Sequence, residues 1–191
     1  KDQAALKRRQ EFVQQARLIA ATAPVHALEF VEDLERLVDK EQDPWTAVAA
    51  GEVLGMILGK EAGREARRRL LQRAEPAIAA HAALDMMDAH WADELIRRLA
   101  TAEHHLLVRC ILRALGRIRA IDAFDLLISY LSQPEFREDA VLALELLGDP
   151  RGAVEQVLRV GDIELRIGAQ EVQERRQIAL EAGLRLQDRK S

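Results

Sequence analysis

Leucine, small and charged residues recur in one order along this chain about every thirty residues, and this recurrence predicts its architecture. Within each copy the apolar residues stand three or four positions apart, which is typical of amphipathic helices. The copies are anchored on Leu54, Leu84, Leu115 and Leu144, with a partial fifth copy from Leu165. One helical hairpin cannot bury its own apolar faces, so several must stack. We therefore predict an all-α chain of about five to six stacked antiparallel hairpins.

The clearest copy lies at residues 136–150. Its apolar-Arg pair is followed by a lone Ala, an Ala-Leu pair and a turn: Phe136-Arg137, Ala140, Ala143-Leu144 and Leu147-Gly148-Asp149-Pro150. This sequence pattern resembles the bacterial HEAT-like repeat first noted in phycobilisome lyases, and the resemblance extends over roughly residues 44–160. It implies an α-solenoid, an ARM-type superhelix, with the Ala-Leu helices on its concave side.

The whole chain is predicted to form a single α-solenoid domain, 1–191. Its parts are a capping hairpin over 1–43, four HEAT-like repeats over 44–160, and a partial repeat with a closing helix over 161–191. Small residues at the repeated tight positions are expected to let neighbouring helices approach closely.

The helix ends are marked by glycine and proline. We expect Gly148 at positive φ, Asp149 capping the next helix and Pro150 in its first turn. Gly59 is interpreted as another helix stop. The capping hairpin is predicted as helices over about 3–21 and 24–39, with Thr22 capping the second helix and Pro24 in its first turn.

The composition favours helix and limits the classes of partner. Hydrophobic residues make up 49% and aromatic residues 4% of the chain, and its net charge is −4. A pI near 5.8 argues against the basic surface that strong nucleic-acid binding requires. The single cysteine, Cys110, rules out an internal disulfide, and no apolar run is long enough for a membrane span. The expected location is the cytoplasm.

The predicted helices over 46–58, 76–87 and 140–147 are apolar nearly all round, although one face of each should meet solvent. We interpret these faces as a concave groove that binds an apolar, acidic segment of another protein, with a helix as its expected conformation. The predicted partner-binding residues are Val48, Met56, Ile78, Met86, Arg109, Arg113, Arg117, Leu142 and Leu146. Alternatively, tight solenoid curvature or the terminal helix covers these positions.

Two groups of arginines stand out, and only the first is a candidate anion site. The series Arg109, Arg113 and Arg117 falls on one helix face, and we weigh phosphate binding against pairing with Glu138 and Asp139. The second group should lie on an outer helix, solvated and paired with Glu61 and Glu65. It comprises Arg64, Arg67, Arg68, Arg69 and Arg73.

The chain contains no convincing metal or catalytic motif. The densest set of possible ligands is His81, Asp85, Asp88, His90, Asp93 and Glu94. No further motif completes a ligand set, so no metal or other cofactor is predicted. The His-Glu pairs of the HEAT-like deoxyhypusine hydroxylases are missing from the sequence. Cys110 is expected to be a buried structural residue.

These observations favour a non-catalytic protein-protein interaction scaffold or adaptor. Two alternatives remain open from the resemblance alone: a phycobilin-lyase-like enzyme, and a nucleic-acid-binding HEAT-like protein similar to the alkylpurine glycosylases. No catalytic residue is assigned, and the enzyme interpretation is the less favoured.

Overall fold

A computed structural model describes residues 2–148, 166–175, 177 and 178, and every regular element in this part of the chain is helical, as predicted. The α-helices are α1 (Asp2–Thr22), α2 (Pro24–Ala27), α3 (Val31–Lys40), α4 (Pro44–Leu58), α5 (Lys60–Leu71), α6 (Pro76–Asp85), α7 (Ala92–Leu99), α8 (His105–Arg117), α9 (Phe124–Tyr130) and α10 (Arg137–Leu147). Short 3-10 turns lie at Leu28–Phe30, Ala89–Trp91 and Ile121–Ala123. One helix of each repeat copy begins about thirty residues after the last, which matches the repeat length; these helices are α4, α6, α8 and α10.

The chain divides into two compact units, Lys1–Met86 and Met87–Ser191, which are called unit 1 and unit 2. In unit 1, helix α4 is central. Helices α1 and α6 pack on it, and α3 and α5 form a second layer against it. Buried leucine, valine and alanine side chains from α1, α3, α4, α5 and α6 make up the core of this unit.

The ends of α4 follow from three residues. Asp43 caps its first turn by accepting a hydrogen bond from the Thr46 backbone N–H at 2.9 Å, and Pro44 stands in that turn, where its missing N–H is not needed. The helix ends at Gly59, which has φ of 97°. The prediction that Gly59 stops a helix is therefore confirmed.

Two glycines let α4 and α5 cross closely. A Cβ built on Gly55 would lie 3.0 Å from the Cα of Gly63, and one built on Gly63 would lie 2.9 Å from the Cα of Gly55. In both cases the added Cβ would lie against a backbone atom, which cannot move aside, so a side chain at either position would push the helices apart. Gly55, a residue of the repeat pattern, is thus one of the small residues expected at tight positions.

The first hairpin differs from its prediction. Thr22 does not cap a second helix, because it is the last residue of α1 and its hydroxyl donates to the carbonyl oxygen of Leu18 at 2.9 Å. Pro24 does begin a helix, as predicted, but that helix ends at Ala27 and a 3-10 turn separates it from α3. Leu28 therefore lies outside the apolar stripe and is 54% exposed, whereas Leu34 is fully buried.

Unit 2 contains α7 to α10. Helix α8 packs on α7 and α10, and α9 packs on α10. The anchors Leu115 and Leu144 are both fully buried between these helices. Gly148 ends α10 with φ of 76°, so its predicted positive φ is confirmed, whereas Asp149 and Pro150 lie outside the described residues.

The partial fifth copy is described only in part, because its first residue, Leu165, lies outside the described residues. Residues 166–175 are helical, and Ala169 and Val172 are buried, as their places in the repeat predict. A Cβ on Gly168 would lie 2.8 Å from the Cβ of Leu131, so this segment packs closely on the end of α9. Most of the predicted closing helix lies outside the described residues.

A buried arginine links three parts of unit 1 and gives a pH-dependent prediction. The Arg73 side chain, 8% exposed, binds both carboxylate oxygens of Glu75 at 2.7 and 3.0 Å and donates to the Val38 carbonyl. Hydrogen bonds from Arg73 are the main reason that the pKa of Glu75 falls from 4.5 to about 2. A carboxylate with a lowered folded-state pKa stabilises the fold above its unfolded pKa and loses that contribution as the pH falls through its folded pKa.

We expect Glu75→Gln to lower the free energy of unfolding by about 1 kcal/mol at pH 6, a modest value because Glu75 is partly exposed. This difference from the parent chain should shrink below pH 4.5 and nearly disappear close to pH 2. Urea unfolding of both chains at several pH values measures it. A difference that does not change with pH would show that the ion pair is not its source.

Candidate functional site

The predicted partner-binding residues of unit 1 fall into two groups. Val48 is half-buried and Met56 is 47% exposed, and both lie on α4. Ile78 and Met86, in contrast, are 0% and 1% exposed. The expectation that these two side chains face solvent is wrong, because α6 is buried on almost every apolar position and the chain leaves the helix at Met86 with an extended backbone.

In unit 2, the predicted residues lie on α8 and α10. Arg109, Arg113 and Arg117 lie on the exposed face of α8. Leu142 is half-buried and Leu146 is 49% exposed on α10.

Two of these arginines are held by a buried carboxylate. Asp139, 1% exposed, accepts a hydrogen bond from Arg109 Nε at 2.6 Å and another from Arg113 Nε. Hydrogen bonding to Asp139 raises the pKa of Arg109 further. The ion-pair interpretation with Asp139 is confirmed, and it weakens the case for a phosphate site on this helix. Arg117 contacts the sulfur of Met87.

The arginines of the second group, on and just after α5, are also paired. Arg64 binds Glu61 at 2.6 Å, and Arg68 binds Glu65, so the predicted pairing within the helix occurs at a spacing of three residues. The remaining arginines of this cluster reach other elements. They are Arg67 with Asp85, Arg69 with Asp39, and Arg73 with Glu75.

The strongest candidate site is a cleft of about 540 Å³ in unit 1, between α1 and α4, which we call the α1/α4 cleft. Residues at three- and four-residue spacing on α1 form one wall, a face of α4 forms the other, and α6 contributes a carboxylate. The lining comprises Gln10, Val13, Gln14, Arg17, Trp45, Thr46, Val48, Ala49, Glu52 and Asp85. Val48 is the predicted partner-binding residue that lies in it.

Trp45 is the aromatic side chain in the lining of this cleft. It is 71% exposed, and its ring meets the His81 ring edge-to-face with centroids 4.7 Å apart. Its position follows from Asp43, which caps the N-terminus of α4; the helix therefore begins at Pro44, and Trp45 lies in its first turn. The ring is therefore held on a well-defined helix end while most of its surface meets solvent.

The ionised side chains that line the cleft are balanced by partners. Arg17 pairs with Glu52 across the cleft, and Asp85 pairs with Arg67 at 2.7 Å. At the end of the cleft, burial raises the pKa of Asp43, but hydrogen bonds from Thr46 and Gln10 outweigh this, so the pKa lies below its usual value. The cleft therefore offers apolar surface and neutral amides more than free charge.

The sequence interpretation missed Trp45, Gln10 and Gln14. The predicted helix begins at 46, so Trp45 lies outside it. The signal for an earlier start is Asp43-Pro44, which has the same cap-and-proline pattern as Asp149-Pro150. The two glutamines carry no local signal, because their place in the cleft depends on the packing of α1 beside α4.

The candidate metal ligands of the sequence do not converge on one point in the described residues. His81 contacts the Trp45 ring, and Asp85 binds Arg67. Among the described residues, no group of three or more His, Cys, Asp or Glu side chains is placed to share an ion. Cys110 is buried, as predicted, and burial raises the pKa of its thiol.

Within the described residues, none of the helices has both the length and the apolar character that a bilayer crossing requires. No known protein family matches the chain, and no curated protein matches it either.

Proposed function

We propose that this chain is a non-catalytic protein-interaction module of the HEAT-like α-solenoid type, and that the α1/α4 cleft binds a segment of a partner protein. The observation that carries the proposal is the exposed Trp45 in a cleft whose lining also includes the apolar residues Val13 and Val48. The repeat length of about thirty residues and the two helical layers of unit 1 support the solenoid assignment.

The energetics of Trp45 favour a binding role. A tryptophan side chain buries roughly 150–250 Å² when it is covered, and at about 25 cal/mol per Å² the remaining exposed surface is worth roughly 3 kcal/mol. Tryptophan is also enriched among the residues that dominate binding energy in protein interfaces. Val13 and Val48 continue the apolar surface into the cleft.

The size of the cleft fits the same role. A volume of about 540 Å³ lies within the range of about 300–1,000 Å³ that is common for pockets that enclose a ligand. A helix is about 10–12 Å in diameter, so a cleft of this size holds the side chains of a helix or a few residues of an extended chain, and not a whole domain. A short segment is therefore the proposed ligand.

The proposal is tested by selecting peptides from a random-sequence display library on the full chain and measuring their affinity for two variants. Trp45→Glu places a charge in the cleft at a well-exposed position, so folding should be kept. Selected peptides should bind this variant at least about thirtyfold more weakly, as loss of a dominant interface residue implies.

Ile121→Glu is the matched control, because Ile121 is another exposed apolar residue, 52% exposed, but lies in unit 2. Affinity for this variant should be unchanged. The proposal fails if the library gives no binder, or if Trp45→Glu leaves the affinity of every binder unchanged while circular dichroism shows normal folding.

A further inference from the structure

We propose that the segment bound in the α1/α4 cleft is uncharged and extended, and that Gln10 and Gln14 hydrogen-bond to its main chain. This inference rests on the proposed function and names the chemistry of the partner. It differs from the acidic helix expected from the sequence, because two of the three arginines behind that expectation, Arg109 and Arg113, are paired with Asp139.

The charge balance of the cleft excludes a strongly charged occupant. Arg17 is neutralised by Glu52, and Asp85 is neutralised by Arg67. A charged partner side chain would have to break one of these pairs or enter the cleft without a counterion, and both cost free energy. An uncharged segment avoids that cost.

The two glutamines supply neutral hydrogen-bonding groups on one face of α1. The side-chain amide of Gln14 makes no hydrogen bond to any other residue in the part of the chain that the structure describes. Gln10 donates to Asp43, which leaves its carbonyl oxygen able to accept a bond. Both side chains line the cleft and are exposed.

The spacing of these amides matches an extended main chain. Four residues of α-helix rise about 6 Å, and two residues of extended chain advance about 6.6 Å. Successive outward-facing peptide groups of an extended segment lying along α1 can therefore reach Gln10 and then Gln14. In a helical partner the main-chain groups are already bonded to each other, and few are free for these amides.

An extended segment also uses the apolar part of the cleft. Alternate side chains of such a segment point to the same side, so every second residue would enter the space lined by Val13, Val48 and Trp45. The intervening side chains would face solvent. The cleft would then recognise the main chain of the partner segment and the apolar side chains of its alternate residues.

The test uses a synthetic peptide taken from the display selection. We expect Gln10→Ala with Gln14→Ala to weaken its binding about tenfold, through the loss of two neutral hydrogen bonds. Gln15→Ala is the matched control, since Gln15 is an exposed glutamine of the same helix outside the cleft lining, and it should leave affinity unchanged. Raising the salt from about 0.05 to 0.5 M should change affinity by less than about twofold, because no net charge is paired.

An alanine scan of the peptide distinguishes the two conformations. Sensitive positions should recur every second residue if the segment is extended, and every third or fourth residue if it is a helix. A period of three or four, an acidic consensus with strong salt dependence, or equal effects of the Gln10/Gln14 and Gln15 variants would each overturn this inference. In those cases Trp45-dependent binding would still support the proposed function, whereas binding without dependence on Trp45 would refute both.

Discussion

Gly116→Ala is expected to destabilise unit 2 by about 2–3 kcal/mol, although alanine is the better helix former by about 1 kcal/mol. The reason is the contact between α8 and α10. A Cβ on Gly116 would lie 2.5 Å from the Cα and 2.9 Å from the Cβ of Ala143, which real Cβ atoms do not tolerate. The helices must therefore separate, and Leu115 and Leu144 lose part of their packing.

Gly51→Ala is the matched control, because it makes the same change within a helix. The nearest atom to its Cβ would be the flexible end of Leu70, 3.3 Å away, which can move by a few tenths of an ångström. This change should stay within about 1 kcal/mol. Chemical denaturation is followed by circular dichroism for both substitutions, and in a Trp45→Phe background Trp91, 4% exposed, reports on unit 2. Equal effects of the two substitutions would contradict the close approach of α8 to α10.

The double change of Arg109 and Arg113 to Met is expected to cost about 3–5 kcal/mol, because it leaves the buried carboxylate of Asp139 without its partners. Each single change should cost much less, since the other arginine continues to bind Asp139. The double effect should therefore exceed the sum of the two single effects.

The control is the triple variant that also carries Asp139→Leu. Removing the charge together with both partners should restore most of the lost stability, since apolar replacements of a buried ion pair are commonly tolerated. The same denaturation measurements are made on the two single variants, the double variant, the triple variant and the parent chain. Additive single effects, or no recovery in the triple variant, would show that Asp139 is not the shared buried partner of the two arginines.

The helical class and most helix ends were predictable because they depend on local residues. Gly59 and Gly148 end helices through a positive φ that glycine adopts without strain, and Pro24 begins one, as expected from their sequence context. The repeat anchors Leu115 and Leu144 are buried because the pattern places them on the faces between helices. The break in the helix predicted over 24–39 was not predictable, because helix propensity and apolar spacing are both satisfied there.

The site was predicted less well because exposure depends on packing between helices that are distant in sequence. Ile78 and Met86 occupy the same repeat positions as Val48 and Met56, yet only the second pair reaches the surface. Arg109 and Arg113 were placed correctly on one face, but their shared partner comes from another helix. The α1/α4 cleft itself involves Gln10 and Trp45, which belong to different hairpins.

The fluorescence of Trp45 tests the central claim, that the α1/α4 cleft binds a protein segment, most directly. The emission of the parent chain and its quenching by acrylamide are recorded with and without a selected peptide, and a Trp45→Phe chain supplies the contribution of the buried Trp91. We predict that the peptide shifts the Trp45 emission to shorter wavelength and reduces its quenching, because the exposed ring becomes covered. An unchanged Trp45 signal at peptide concentrations that calorimetry shows to be saturating would contradict the claim.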